Sequence, residues 1–259
     1  MDAVAALLDQ NRSNELRVFS PLAARQLAQA GYTRFEHLWS LPQEFVEPAN
    51  LRRNGWSGVS ILTLPNEQGE QEVYYLKRQE NQTRYSLRYP TGTLTFRYEA
   101  DALHRALVEG WPAVELVACG FRTSPGNGAP QGPILTRGLP YPNLSSYREQ
   151  VSDWTPYLPV LRRIGEQLLQ MHQSRWQHGA LFPVHLFLEL ATGEGCLIDF
   201  ERARRRLFPQ WAAYADLTQF IRRADWLPDE ALAALLESHL TAMPQLRKRL
   251  RKRFPNRFQ

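Results

Sequence analysis

Lys77 lies inside VYYLKRQ, where apolar and aromatic neighbours leave an ammonium group in need of an anion. A solvated sheet edge accommodates such a lysine equally well, so these residues alone leave both readings open. Glu99, within the helical pattern FRYEADALHRALVEG, is the carboxylate available to hold that ammonium toward a nucleotide phosphate. Farther along, LIDFER sets Asp199 directly after an apolar strand, a place from which a carboxylate can bind Mg²⁺. In NGWSGVS, Gly55 and Gly58 flank Trp56 and Ser57, and the missing Cβ atoms let backbone N–H groups approach phosphate oxygens. An ordinary hairpin turn has the same composition. Taken together, the residues suit binding of a phosphorylated nucleotide with a divalent cation, and transfer of a phosphoryl group from it.

The elements that must position these residues fall into two textures. From 49 to about 139, the stretches WSGVSILTLP, QEVYYLKRQ, RYSLRYP, AVELVACGF and GPILTRGLP are short and rich in β-branched or aromatic residues, with turn-forming breaks between them, and read as strands. One helix interrupts them, with Phe96, Ala100, Leu103 and Leu107 on one stripe and Gly110 as its stop. Beyond Ser145 the pattern turns helical: Tyr157, Leu161, Ile164, Leu168 and Met171 recur at helical spacing. HLFLEL and CLIDF, joined by ATGEG, form a hairpin pattern, and ADLTQFIRRA and EALAALLESHL follow, the latter with Asp229 as its expected cap. Ahead of all this, PLAARQLAQAGY and FEHLWSLP read as short helices without chemistry of their own. RTSPGNGAPQG reads as a loop, and the chain has no internal repeat. The expected fold class is α+β: two lobes with a cleft between them, an N-terminal antiparallel sheet with one helix and a mainly helical C-terminal lobe. The expected division is 1–45 helical extension, 46–138 strand-rich lobe, 139–244 helical lobe and 245–259 basic tail.

Composition narrows the class. The 259 residues, 43% hydrophobic with seven tryptophans, suit a packed protein. Apolar runs fall short of a membrane span, and MDAVAALLDQ carries no basic leader pattern, so a cytoplasmic protein is expected. Cys119 and Cys196 stand singly, without metal-type spacing, as small core residues. The net charge of +5 belongs to the C-terminal run QLRKRLRKRFPNRFQ, which holds seven Lys or Arg and no acid. Such a run either binds an anionic lipid, glycolipid or nucleic acid, or simply solvates a helix end. Nucleic acid is the weakest partner, since the aromatics are scattered through strand and helix interiors and no recognised nucleic-acid motif occurs.

In their order and intervals, RRNGWSGV, EVYYLKRQ, HGALFPVHLFL and IDFERAR resemble the lipopolysaccharide core kinases of the Kdo/WaaP family, specifically the InaA-like branch, from about residue 45 to 240. The resemblance implies a protein-kinase-like fold that uses ATP and Mg²⁺. It implies that Gly55, Ser57 and Gly58 cover the nucleotide phosphates and that Lys77, held by Glu99, contacts them. ILTRGL would run into the segment that meets the adenine, and His178 would be a structural histidine beneath the metal site. Asp199 would be the principal Mg²⁺ ligand, with His185 standing where protein kinases keep a metal-binding asparagine. The implied acceptor is a hydroxyl of a lipopolysaccharide core sugar or a related anionic glycolipid. Arg202, Arg204 and Arg205 are candidates to hold its phosphates, or else line a solvated turn. With the basic tail they suit peripheral contact with the inner membrane.

Two positions depart from the kinase pattern. Gly179 replaces an arginine that many protein kinases use to clamp a phosphorylated loop. Ala180 stands where a carboxylate would accept the acceptor's proton. Losing such a base costs about 10² to 10⁴ in rate. The chain therefore reads as a slow or atypical kinase, or alternatively as a pseudokinase that binds nucleotide and regulates a partner. Glu201 and Asp101 are other acids near the pattern, with nothing in the sequence to prefer either as a substitute.

Overall fold

Alternating apolar and polar residues along WSGVSILTLP and QEVYYLKRQ build two long antiparallel strands, β3 (Gly55–Pro65) and β4 (Gln71–Glu80), in register with Val59 opposite Lys77. The computed structural model describes residues 15–52, 54–86, 89–123, 128–189 and 192–258. These residues form two compact units. The first runs up to Arg105 and resumes for Glu115–Gly138; the second comprises Ala106–Val114 and everything from Leu139 onward.

In the first unit, β1 (Arg17–Val18), β2 (Asn50–Arg52), β7 (Leu116–Cys119) and β8 (Gln131–Arg137) join β3 and β4. They form a six-stranded sheet in the order β1-β7-β8-β4-β3-β2, and every neighbouring pair is antiparallel. Helices α1 (Pro21–Gln29) and α2 (Phe35–Trp39) supply Ala23, Leu27 and Leu38 to the core around Tyr74, Leu76, Val117 and Leu135. The N-terminal helices are thus part of the sheet's own core, not an appendage to it. Arg78, the neighbour of Lys77, is fully buried. Its guanidinium donates to the carbonyls of Trp39 (3.1 Å), Leu41 and Pro42 (2.6 Å) and to Ser60 Oγ (3.1 Å). Those carbonyls compensate a desolvation penalty of several kcal/mol and bind segment 39–42 to the sheet.

RYSLRYP behaves differently from the expectation. Among its described residues only Arg84 pairs, within β5 (Thr83–Arg84) against β6 (Thr93–Leu94), and the backbones of Ser86 and Tyr89 exchange hydrogen bonds. Leu87 and Arg88 of that stretch lie outside the described residues. Helix α3 (Thr95–Glu109) follows, with Phe96, Ala100 and Leu103 buried as expected. Leu107, placed on the same stripe, is 53% exposed, and Ala106 is the buried residue of that turn. An i+3 step lies on the inward face there and the i+4 step falls outside it.

The second unit centres on α4 (Leu158–Gln173), whose stripe Leu161, Ile164, Leu168 and Met171 is fully buried together with His172. Against it packs α6 (Asp229–Ala242), so closely that a Cβ at Gly165 would overlap the Leu235 carbonyl. Pro228 caps α6; Asp229, expected as the cap, is its first residue and pairs with Arg257 at 3.1 Å. The hairpin β10 (Leu186–Glu189) and β11 (Glu194–Leu197) pairs in register, with Leu186 opposite Leu197. Between the hairpin and α6 come the short strand β12 (Arg204–Arg205), paired with β9 (Trp176–Gln177), and helix α5 (Pro209–Arg223). The basic C-terminal run is a folded helix, α7 (Pro244–Arg253), with Leu246 and Leu250 buried. Beyond it Arg257 donates to the carbonyls of Asp225 and Leu227 at 2.8 and 2.5 Å. Among the described residues, no helix is long and apolar enough to cross a membrane.

Candidate functional site

Lys77 and Gln79 project from the same face of β4, two residues apart, and that spacing organises the candidate residues of the first unit. The Gln79 side chain accepts from the Phe96 N–H at 3.1 Å and donates to Thr95 Oγ1 at 2.8 Å. It thereby anchors the first turn of α3 to the strand. One turn in, Glu99 meets Lys77, with Nζ donating to Oε1 at 2.5 Å. Glu99 is 1% exposed and Lys77 19%, so the carboxylate is the buried member and the ammonium the accessible one. A charge-assisted bond of this kind fixes the direction of the lysine.

Gly55, Ser57 and Gly58 lie within β3 instead of forming a turn; the turn is at Asn54, with φ of 60°. A Cβ at Gly55 would overlap the Glu80 carbonyl, and one at Gly58 would overlap the Phe45 ring. Close packing inside the protein is sufficient reason for both glycines. Ser57 is buried opposite Gln79.

In the second unit, two histidines hold the segment from 178 to 185. His178 is fully buried; the Ala180 N–H donates to its Nδ1 at 3.2 Å, and its Nε2 donates to the Ile198 carbonyl at 3.1 Å. Both bonds require the neutral ring with its proton on Nε2. Burial agrees, pulling the His178 pKa down to about 4 against the opposing pull of Asp216 and Asp199. His185 Nδ1 donates to the Ala180 carbonyl at 2.8 Å, which in the neutral ring leaves the Nε2 lone pair facing Asp199 Oδ2 at 3.6 Å. Asp199 itself has left-handed backbone, φ 66° and ψ 61°, immediately after Ile198, whose N–H is bound to the His185 carbonyl. Ala180, bonded at both its N–H and its carbonyl, is 2% exposed. Gly179 has φ of 81°, and the Arg202 carbonyl leaves no room there for a Cβ.

His185 Nε2 and Asp199 Oδ2 are the two groups that the kinase resemblance assigns to a metal ion. The donor set fits a divalent ion that takes few protein ligands and completes its shell with water and phosphate oxygens, as Mg²⁺ does; the imidazole also suits Mn²⁺. Among the described residues, no group of three or more His, Cys, Asp or Glu gathers around an ion.

Beneath this segment is a buried acid that sequence reasoning missed. Asp216 of α5 accepts the His178 N–H at 2.6 Å, the Gly179 N–H at 2.9 Å and His172 Nε2 at 3.1 Å. Burial would raise its pKa, but the hydrogen bond from His172 and the other donors outweigh burial and hold it below the usual carboxylate range. His172 Nδ1 then accepts from His239 Nε2 at 2.8 Å, leaving His239 Nδ1 without a partner. The available signal was an acid on the apolar face Ala212, Ala213, Leu217 and Phe220 of α5.

His178 and His239 predict an acid-labile fold. Burial lowers His239 to about 2 and His178 to about 4, against an ordinary value of 6.5. Below pH 6.5 the unfolded chain takes up protons that the folded chain refuses. Their stabilisation is therefore full above 6.5 and lost as pH falls toward the folded values, at about 1.4 kcal/mol per pH unit for each histidine. Urea unfolding midpoints should fall steeply from pH 6.5 to 4.5, and His239→Gln should flatten that slope. An unchanged slope in the variant would count against this account.

The candidate arginines sit at the surface. Arg204 and Arg205 form β12, with Arg204 Nε donating to Gln177 Oε1 at 3.2 Å, and Arg202 is exposed. Glu201 makes no ion pair with these arginines, and Asp101 accepts from the Tyr89 hydroxyl at 3.0 Å.

Comparison with known proteins agrees with this architecture. A family model described as the lipopolysaccharide kinase (Kdo/WaaP) family matches residues 36–239. Protein InaA of Escherichia coli (strain K12) is 27% identical over 215 residues, which cover 76% of this chain and 94% of InaA. The solved structure of WaaP in complex with acyl carrier protein matches with a TM-score of 0.60 at 17% identity, over 95% of this chain and 100% of that one. At that identity the likeness is one of fold: a sheet-and-helix N-terminal lobe and a mainly helical C-terminal lobe.

Proposed function

The chain belongs to the lipopolysaccharide kinase (Kdo/WaaP) family, and from that premise we propose that it is an ATP-dependent phosphotransferase acting on a hydroxyl of a lipopolysaccharide core sugar or related anionic glycolipid. It would work in the cytoplasm, peripherally at the inner membrane. The observation that carries the proposal is Asp199, set in left-handed backbone with its carboxylate opposite the lone pair of His185.

Each residue then has a task. Lys77, aimed by Glu99, donates to the nucleotide phosphates, with Gly55, Ser57 and Gly58 of β3 nearby in the sheet. Asp199 and His185 would hold the Mg²⁺, which when bound would neutralise charge on the phosphate oxygens. His178 keeps Ile198, and so Asp199, in place while remaining neutral. Arg202, Arg204 and Arg205 are suited to phosphates on the acceptor. With Ala180 in place of a carboxylate, the acceptor proton has no dedicated base. A loose transition state keeps such transfer feasible, because positioning and electrostatics supply most of the acceleration.

A second reading, a pseudokinase that binds nucleotide and regulates a partner, is favoured by Ala180 alone. One titration tests the shared premise. Mg²⁺-dependent ATP binding should weaken at least about tenfold in Asp199→Asn, and phosphotransfer should fall about 10² or more in Lys77→Met, the usual cost of one electrostatic contact in a site. Equal nucleotide affinity in wild type and Asp199→Asn would remove the metal-binding assignment. Binding without turnover on any core-sugar acceptor would favour the regulatory reading.

A further inference from the structure

The entry to α5 exposes apolar surface that the proposed chemistry does not use. Leu207 is 71% exposed, Phe208 52% and Trp211 44%, and the Phe208 and Trp211 rings meet edge-on at 4.9 Å. Directly before them come Arg202, Arg204, Arg205 and Arg206, and of these Arg202, Arg205 and Arg206 make no ion pair with a described residue. The Arg206 N–H is bonded to the Arg175 carbonyl, which brings another basic residue beside the cluster.

One turn beyond Trp211, on the same side of α5, lies Tyr214, and Arg249 of α7 stands over its ring at 3.9 Å. With Leu246 and Leu250 inward, α7 presents Arg247, Lys248, Arg249, Arg251, Lys252 and Arg253 to solvent, and none of them pairs with an acid among the described residues. The line Trp211–Tyr214–Arg249 therefore joins the apolar tip to the cationic helix on one face of the second unit.

We propose that this face docks the protein on an anionic lipid bilayer, with Leu207, Phe208 and Trp211 entering the headgroup region and the arginines and α7 resting on lipid phosphates. Trp and Phe favour that interfacial depth, and Arg side chains can bury their stems while keeping their charge at the phosphates. Charge complementarity selects the occupant, because unpaired cations directly precede the apolar tip and α7 adds more through the Arg249–Tyr214 contact. A duplex nucleic acid would use the cations but leave Leu207 and Phe208 in water. The proposal rests on the peripheral-membrane part of the proposed function but uses none of the nucleotide-site residues, so lost vesicle binding with ATP affinity intact separates its failure from that of the kinase reading.

Vesicle sedimentation of the full chain tests the proposal. Binding is expected to vesicles of phosphatidylcholine mixed with phosphatidylglycerol, to be weak on phosphatidylcholine alone, and to fall as salt rises. The Phe208→Ser/Trp211→Ser variant should bind anionic vesicles about tenfold or more weakly, since each side chain gives up buried apolar area. Arg251→Ala/Lys252→Ala/Arg253→Ala should weaken binding by about fivefold or more per lost charge, with a smaller salt dependence. Unchanged melting curves and ATP affinity in these surface variants would show that folding and the nucleotide site are intact. Equal binding to neutral and anionic vesicles, or full binding by the Phe208→Ser/Trp211→Ser variant, would overturn the proposal. So would capture by duplex DNA without capture by vesicles.

Discussion

Replacing Ala180 with aspartate is expected to raise phosphotransfer by about 10² to 10⁴, the usual contribution of a positioned general base. That gain corresponds to roughly 3 to 5 kcal/mol of barrier. The attachment point is fixed, because the Ala180 N–H is bound to His178 Nδ1 and its carbonyl to His185 Nδ1. A side chain introduced there leaves from a fixed point between the two histidines. Steady-state rates with ATP, Mg²⁺ and a panel of core-sugar acceptors measure the effect. A variant that folds, binds nucleotide as tightly as wild type and gains nothing would show that the missing carboxylate does not limit turnover. It would then strengthen the regulatory reading.

Asp216→Ala should be the most damaging single change to the fold. It strips the acceptor from the His178 N–H, the Gly179 N–H and His172 Nε2 together, all in a fully buried place. Breaking a buried charged network in this way costs about 3 to 5 kcal/mol, a large share of the roughly 5 to 15 kcal/mol that holds a typical domain folded. Asp216→Asn keeps one carbonyl acceptor and should lose clearly less. Urea unfolding of both variants at pH 7 separates them. A loss below about 1 kcal/mol in Asp216→Ala would mean that the three donors find other partners, contrary to the role assigned to this acid.

Several elements were legible because their signal is local. The period-2 pattern of QEVYYLKRQ became β4, the stripe from Leu161 to Met171 became the buried face of α4, and the HLFLEL and CLIDF runs paired as a hairpin. Local signal failed where a neighbour decided the outcome. RYSLRYP has strand composition, yet among its described residues only Arg84 pairs with a neighbouring strand, and Ser86 and Tyr89 bond to each other instead. Leu107 continues a plausible stripe but faces out, since the inward turn is satisfied by Ala106. The basic C-terminal run reads as a tail by charge, whereas Leu246 and Leu250 are enough to seat it as a helix.

The contrast is sharpest at the adjacent cations of β4. Sequence by itself determined that a lysine and an arginine share a strand with apolar neighbours, and that Glu99 follows on a helix, because those facts concern spacing and composition within short windows. Only the tertiary structure decided that Lys77 meets Glu99 while Arg78 is enclosed by the carbonyls of Trp39, Leu41 and Pro42. Tertiary structure likewise decided that Asp216, some forty residues from His172 and His178, accepts hydrogen bonds from both. A buried charge is stable only where distant donors or acceptors converge on it, and no local pattern encodes which partners those will be.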